Sequence, residues 1–225
     1  MKNTSTYLVV CPHCGEVKRV AFSTVRWNDV TYVFWSDGRI ESEEWCEPAY
    51  IQQCPVCKHF FPLPPRNSLQ VEESPCDDTG FLPYQTLKHA VEELIGNEKT
   101  EVNARLEAWW AYNKHYRDVD EENIPIKERN YNRSNMQWLL DYYSKETPIP
   151  YSFIFELHRQ LGNLNEYRKL LDELTYERYL EWRKERDKKH GRNLQLEEDT
   201  IKSLYYRMIK EKKEALEKPL KSYQL

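Results

Sequence analysis

The sequence predicts an α+β protein in which a small antiparallel sheet precedes an all-α region. Three observations support this fold class. Two C-P-x-C cysteine pairs lie in the first 62 residues, among short apolar runs that favour strands. Five prolines cluster between residues 62 and 83 and indicate an extended or turning stretch. Apolar residues then recur at helical spacing through most of the remaining chain.

The predicted strands flank the two cysteine pairs. They cover Tyr7–Val10, Val17–Val25, Val30–Trp35, Ile40–Trp45 and Tyr50–Gln53. Between the third and fourth strands, Asp37-Gly38 tolerates the positive φ that a tight hairpin turn requires. We therefore expect these segments to pair as a small antiparallel sheet that carries the cysteines.

Five or six helices are expected after the proline cluster. The first five apolar stripes begin at Leu87, Val102, Met136, Phe153 and Tyr167, and a final helix is expected from about Glu197 to Lys218. The polar residues 118–130, with Pro125 among them, are predicted to form a loop. Gly162 is a plausible helix-ending residue, and Asn163 with Glu166 has the spacing of a capping box at the start of the next helix.

Four cysteines have the spacing of two metal-binding knuckles. They are Cys11, Cys14, Cys54 and Cys57. Thiolates are soft ligands, and four of them in tetrahedral geometry select zinc, or iron of the rubredoxin kind. Disulfides or free thiols are the remaining alternatives. A metal held by four protein sulfurs has no open position, so the site would be structural rather than catalytic.

Residues 5–62 resemble the zinc-ribbon class through the knuckles C-P-H-C-G and C-P-V-C. The resemblance implies one structural zinc per chain, bound by the four knuckle cysteines. The sequence departs from the class at Lys58, where ribbons often have glycine, and in a longer insert between the knuckles. The predicted organisation is a zinc ribbon over 1–62, a proline-rich connector over 63–83 and a helical region over 84–225.

Two further cysteines and two histidines have open roles. Cys46 and Cys76 are interpreted as small apolar fillers, with a substitute ligand or a redox thiol as the alternative. His13 and His59 lie beside the knuckles and are either surface residues or donors of hydrogen bonds to the metal ligands.

Residues 153–174 resemble one tetratricopeptide-type hairpin, in which two helices are joined by a Gly162-Asn163 turn. Tyr167 stands where that family places a small residue, and no second copy follows at the 34-residue period of the family. The resemblance implies a helical hairpin of similar geometry and carries no activity with it. Zinc ribbons followed by such helices occur among uncharacterised bacterial proteins, which this chain resembles.

Two surface features suggest competing partners. Trp109, Trp110 and Tyr112 form an aromatic cluster that is either core or a groove for a partner. Residues 183–192 are basic, and they are either a solvated helix face or a phosphate-contacting helix. The formal net charge is −4, without the general basic surplus of a dedicated nucleic-acid binder.

The sequence contains no catalytic motif that we recognise, and an enzyme is the least favoured class. No segment has the length and apolarity of a signal peptide or a membrane span, so we expect a cytoplasmic protein. The predicted function is a zinc-stabilised adaptor whose helical region binds a protein. The alternative is a nucleic-acid-binding protein that uses the ribbon and the basic residues 183–192.

Overall fold

The computed structural model describes residues 4–23, 33–42, 48–72, 81–189 and 198–218. Within these residues, seven short strands precede seven α-helices, which confirms the predicted α+β class. The strands are β1 (Thr4–Val10), β2 (Val17–Ser23), β3 (Val33–Phe34), β4 (Ile40–Glu41), β5 (Ile51–Gln53), β6 (Phe60–Pro62) and β7 (Gln70–Glu72). The helices are α1 (Tyr84–Glu93), α2 (Glu98–His115), α3 (Ile126–Tyr143), α4 (Tyr151–Gln160), α5 (Leu164–Glu173), α6 (Tyr176–Lys189) and α7 (Glu198–Ala215). None of these seven helices is both long enough and apolar enough to cross a bilayer.

The described residues form two compact units. The first contains the described residues up to 35 and from 39 to 125, and the second contains 36–38 and those from 126 to 218. The three-part division at residues 62 and 83 stays a prediction about which segments fold independently. The two compact units instead reflect which residues pack together in the folded chain.

The first unit is built on a three-stranded antiparallel sheet with β1 between β2 and β7. Val10 pairs with Val17 at the end of the sheet nearest the first cysteine pair. Strand β7 lies inside the predicted connector, so part of that stretch completes a sheet. Tyr7 and Val9 alternate inward and pack with Phe61, Cys11 and Cys54 in one buried cluster.

A second core in this unit joins strands to helices. Ile51 of β5 and Phe60 of β6 pack with Leu87 and Val91 of α1 and with Ala108 of α2. Burying an Ile or Phe side chain stabilises the fold by about 1.5–3 kcal/mol. The β5–β6 hairpin is therefore packed on α1 and α2, and the hairpin and these two helices share one core.

Helix α2 buries residues on more than one side. Its N-cap residue Asn97 accepts a hydrogen bond from the backbone N–H of Thr100 at 3.3 Å. Trp109 is fully buried and Tyr112 nearly so, whereas Trp110 is half-buried. The aromatic cluster therefore contributes mainly to the core, which favours the core alternative over a partner groove.

The second unit contains the predicted helical hairpin. The backbone N–H of Asn163 donates to the carbonyl of His158 at 2.9 Å, and that of Gly162 to the carbonyl of Arg159 at 3.1 Å. With a φ of 77° at Gly162, these two bonds form a Schellman motif that ends α4 as expected. Asn163 is the N-cap residue of α5, but its side chain makes no capping bond, so the capping-box expectation is wrong.

The predicted loop over 118–130 ends earlier than expected. Helix α3 begins at Ile126, directly after Pro125. Proline is common at helix starts because its fixed φ suits the first turn and its missing donor is not needed there. Pro125 therefore precedes a helix instead of lying within a loop.

Candidate metal centre

The first knuckle turns the chain between β1 and β2. The backbone N–H of Cys11 donates to the carbonyl of Glu16 at 2.8 Å, and the N–H of Gly15 to the carbonyl of Cys11 at 3.0 Å. Gly15 has a φ of 77°, in the left-handed region that glycine adopts without steric cost. This turn places Cys11 and Cys14 at the tip of the β1–β2 hairpin.

The second knuckle repeats the same backbone pattern between β5 and β6. Cys54 N–H donates to the carbonyl of His59 at 3.0 Å, and Lys58 N–H to the carbonyl of Cys54 at 3.2 Å. Lys58 occupies the position of Gly15 and has a φ of 64°. Its Nζ donates to the carbonyl of Pro55 at 2.6 Å. The knuckle geometry is therefore intact although residue 58 is not glycine. Lys58 adopts a left-handed backbone conformation, which is unfavourable for a residue with a side chain.

The two knuckles bring four sulfurs together. Cys11 Sγ lies 3.7 Å from Cys57 Sγ, and Cys14 Sγ lies 3.6 Å from Cys54 Sγ. All four ligand atoms lie within 4.8 Å of one another. A tetrahedron with Zn–S bonds of about 2.3 Å has edges of about 3.8 Å. The sulfurs are therefore spaced so that they could hold one metal ion, and all four are free of disulfides.

The thiols differ in their readiness to ionise. Burial opposes ionisation of Cys54, but the backbone N–H groups of Cys57 and Val56 outweigh it and lower the pKa of Cys54 to about 6. For Cys57, the backbone N–H of His59 lowers the pKa, whereas burial and the three neighbouring thiols raise it to about 12. A metal ion that binds all four sulfurs must displace protons, so its binding becomes weaker in acid.

Two helices hold the strands on either side of the second knuckle. Glu107 of α2 accepts a hydrogen bond from the backbone N–H of Tyr50, the residue directly before β5. Glu93 of α1 accepts the backbone N–H of Phe60 in β6 at 3.1 Å. Burial raises the pKa of Glu107 to about 7, although the N–H groups of Tyr50 and Ile51 and the charge of Arg39 oppose that shift. The second knuckle is therefore tied to the helices by backbone-to-carboxyl hydrogen bonds as well as by its core.

His13 and His59 come together beside the knuckles. Their rings stack with centroids 4.4 Å apart and an angle of 14° between the planes. Both are exposed, and within the described residues neither ring bonds a cysteine sulfur. The stacked pair links one knuckle to the other on the solvent side.

The other candidate residues are placed only in part. Cys46 and Cys76 lie outside the described residues. Of the basic residues 183–192, the structure describes those up to 189. Arg183 is mostly buried and lies 3.7 Å from Asp187, and Lys189 Nζ lies 2.9 Å from a carboxylate oxygen of Glu146. The exposed cations in this stretch include Lys184 and Lys188.

A charged cluster at the end of α2 was not predicted. Glu41 is surrounded by Arg39, Lys114 and Arg117, which come from two distant segments. No local motif marks such a cluster, because the residues that form it share neither a spacing nor a composition signal.

Comparison of the chain with protein-family models, with curated proteins and with solved structures finds no match. The class that the observations define is an α+β protein with a four-cysteine centre that could hold a metal ion and with a helical second part.

Proposed function

We propose that the four knuckle cysteines bind one zinc ion and that this zinc has a structural role. The convergence of four sulfurs at tetrahedral spacing is the observation that carries the proposal. Four protein ligands leave no coordination position for a substrate or water. A reducing cytoplasm, the compartment that we expect, keeps such thiols available for metal.

Metal analysis of the purified full-length protein tests this assignment. We expect about one equivalent of zinc, lost in a Cys11→Ser, Cys54→Ser double variant. The matched control is Cys46→Ala, Cys76→Ala, which changes two cysteines but should keep the metal. Iron as the bound element would contradict the choice of zinc, and loss of metal in the control would contradict the choice of ligands.

The role that we propose for the whole chain is that of an adaptor, with the helical second unit binding a protein partner. Two antiparallel helices joined by a tight turn, as in α4 and α5, are the architecture that tetratricopeptide-type hairpins use. Tyr206 of α7 is 65% exposed and is of a residue type that anchors interfaces. These features support a protein-binding surface on the helices.

Affinity purification of the full-length protein, with and without nuclease, distinguishes the adaptor from the nucleic-acid alternative. An adaptor should retain its protein partner after nuclease treatment and should be unaffected by Lys184→Glu, Lys188→Glu. These two lysines are exposed, whereas Arg183 is buried and its reversal would disturb the fold. Nucleic acid that is released by salt and lost in this variant would overturn the adaptor proposal.

A further inference from the structure

A cavity of about 190 Å³ lies among α3, α4 and α5 in the second unit. Its lining comes from the residue after α3, from the segment before α4, and from one face each of α4 and α5. Ile149, Ile154 and Leu170 form the apolar part of that lining. A cavity of about 150 Å³ is enough to bind benzene, whereas drug-sized ligands need about 300–1,000 Å³. The space therefore suits one small apolar group.

Charged residues of α5 line the same cavity. Glu166, Lys169 and Glu173 recur at spacings of three and four residues, which places them on one side of the helix. Glu173 lies 3.5 Å from Arg178, so its charge is balanced by that pair. Within the part of the chain that the structure describes, neither Glu166 nor Lys169 has an ion-pair partner. The cavity is thus bordered by one negative and one positive charge that no ion pair balances.

The ring of His158 also lines the cavity and is half-buried. Its Nδ1 is shielded from solvent and has no hydrogen-bond partner among the described residues. Burial lowers the pKa of His158, although the charge of Glu166 opposes that shift, so the ring is neutral at pH 7. A protonated ring would leave a buried N–H without an acceptor. His158 therefore adds no charge to the cavity, and the charge pattern is set by Glu166 and Lys169.

We propose that this cavity binds a free α-amino acid with an apolar side chain. The ammonium group of the ligand pairs with Glu166, and its carboxylate pairs with Lys169. Its side chain lies against Ile149, Ile154 and Leu170. A simple cation or anion would satisfy only one of the two charges, whereas a zwitterion satisfies both and leaves no net charge in the site. This proposal depends neither on the metal centre nor on the adaptor role.

Calorimetric titration of the purified full-length protein with L-leucine tests the site. We expect saturable binding of one leucine per chain. L-alanine has the same charged groups but a side chain shorter by three carbon atoms. It should bind about tenfold more weakly or worse, because each CH₂ group that enters an apolar site contributes to affinity.

Two variants test the charged residues. Glu166→Gln and Lys169→Gln should each weaken leucine binding about two- to fivefold, as for partly exposed charge pairs. Both side chains are exposed, so neither change should disturb the helical core. The matched controls are Asp172→Asn and Arg168→Gln, which remove the same charges from exposed positions of α5 outside the cavity lining. Leucine binding in these controls should equal that of the wild type.

Two analogues of leucine separate the two charges. Isoamylamine lacks the carboxylate, so its binding should respond to Glu166→Gln but not to Lys169→Gln. Isocaproate lacks the ammonium group and should show the reverse response. The proposal is overturned if wild type shows no saturable leucine binding, or if leucine binds equally to wild type and to both variants. An analogue that binds as tightly as leucine would also contradict it, because one charge would then suffice.

Discussion

The buried carboxyl group of Glu107 should make the first unit less stable as the pH rises. Burial raises its pKa from 4.5 to about 7, so the folded protein holds a proton that the unfolded chain releases. The resulting stabilisation is fully present below pH 4.5 and is lost as the pH rises through 7. The full effect is about 3 kcal/mol, of which about 1.4 kcal/mol disappears between pH 6 and pH 8.5.

Glu107→Gln should remove this dependence. The free energy of unfolding, measured by urea denaturation with zinc in excess, should fall less for the variant than for wild type across that pH range, by about 1.4 kcal/mol. The quantity compared is the slope of the free energy of unfolding against pH, because the substitution can also shift that free energy by a constant amount. Glu93→Gln is the matched control, because Glu93 bonds the neighbouring strand but is exposed. Parallel curves for wild type and Glu107→Gln would refute the argument.

The remaining predictions concern the two knuckles and the helical hairpin. Gly15→Ala should cost about 1 kcal/mol by denaturation in zinc, because the space around Gly15 is open and only its φ of 77° is unfavourable for alanine. Lys58→Gly should raise the free energy of unfolding by up to about 1 kcal/mol, because glycine adopts the left-handed backbone without steric cost. A decrease would show that the contacts of the Lys58 side chain outweigh the cost of its backbone conformation. Gly162→Ala should destabilise the second unit by about 1 kcal/mol, seen as faster amide exchange in α4 and α5. The Cys11→Ser, Cys14→Ser double variant should release zinc. In hydrogen-exchange mass spectrometry, the amides of β1 and β2 should then exchange before those of β5 and β6, because Glu93 and Glu107 bond the second hairpin to the helices. Simultaneous exchange of both hairpins would contradict this order.

The parts of the structure that could be predicted are those with a local signal. The C-P-x-C spacing identified the cysteine set, and the structure brings these sulfurs together. Gly162 could be recognised as a helix end because its requirement for a positive φ is a property of one residue. The helical stripes reflect a period of 3.6 residues, which is visible without knowledge of any contact.

The missed features depend on distant segments. Strand β7 forms because residues 70–72 pair with β1, and these three residues have no local pattern that predicts a strand. The burial of Glu107 depends on a strand that passes over α2. The contact of Arg117 with Trp35 joins residues that are far apart in sequence. Local propensity carries no information about such partners, so sequence patterns could not reveal them.

The pairing of β1 with β7 has a consequence for synthesis of the chain. Both cysteine knuckles lie between these two strands in sequence, so translation delivers them in a fixed order. Cys11 and Cys14 leave the ribosome before Cys54 and Cys57, so their thiols are unpaired until the second knuckle is made. A metal ion could bind all four sulfurs only after Cys57 emerges, and the three-stranded sheet is completed only after Glu72. Assembly of the first unit is therefore ordered in time, and the thiols of Cys11 and Cys14 are open to oxidation during that interval.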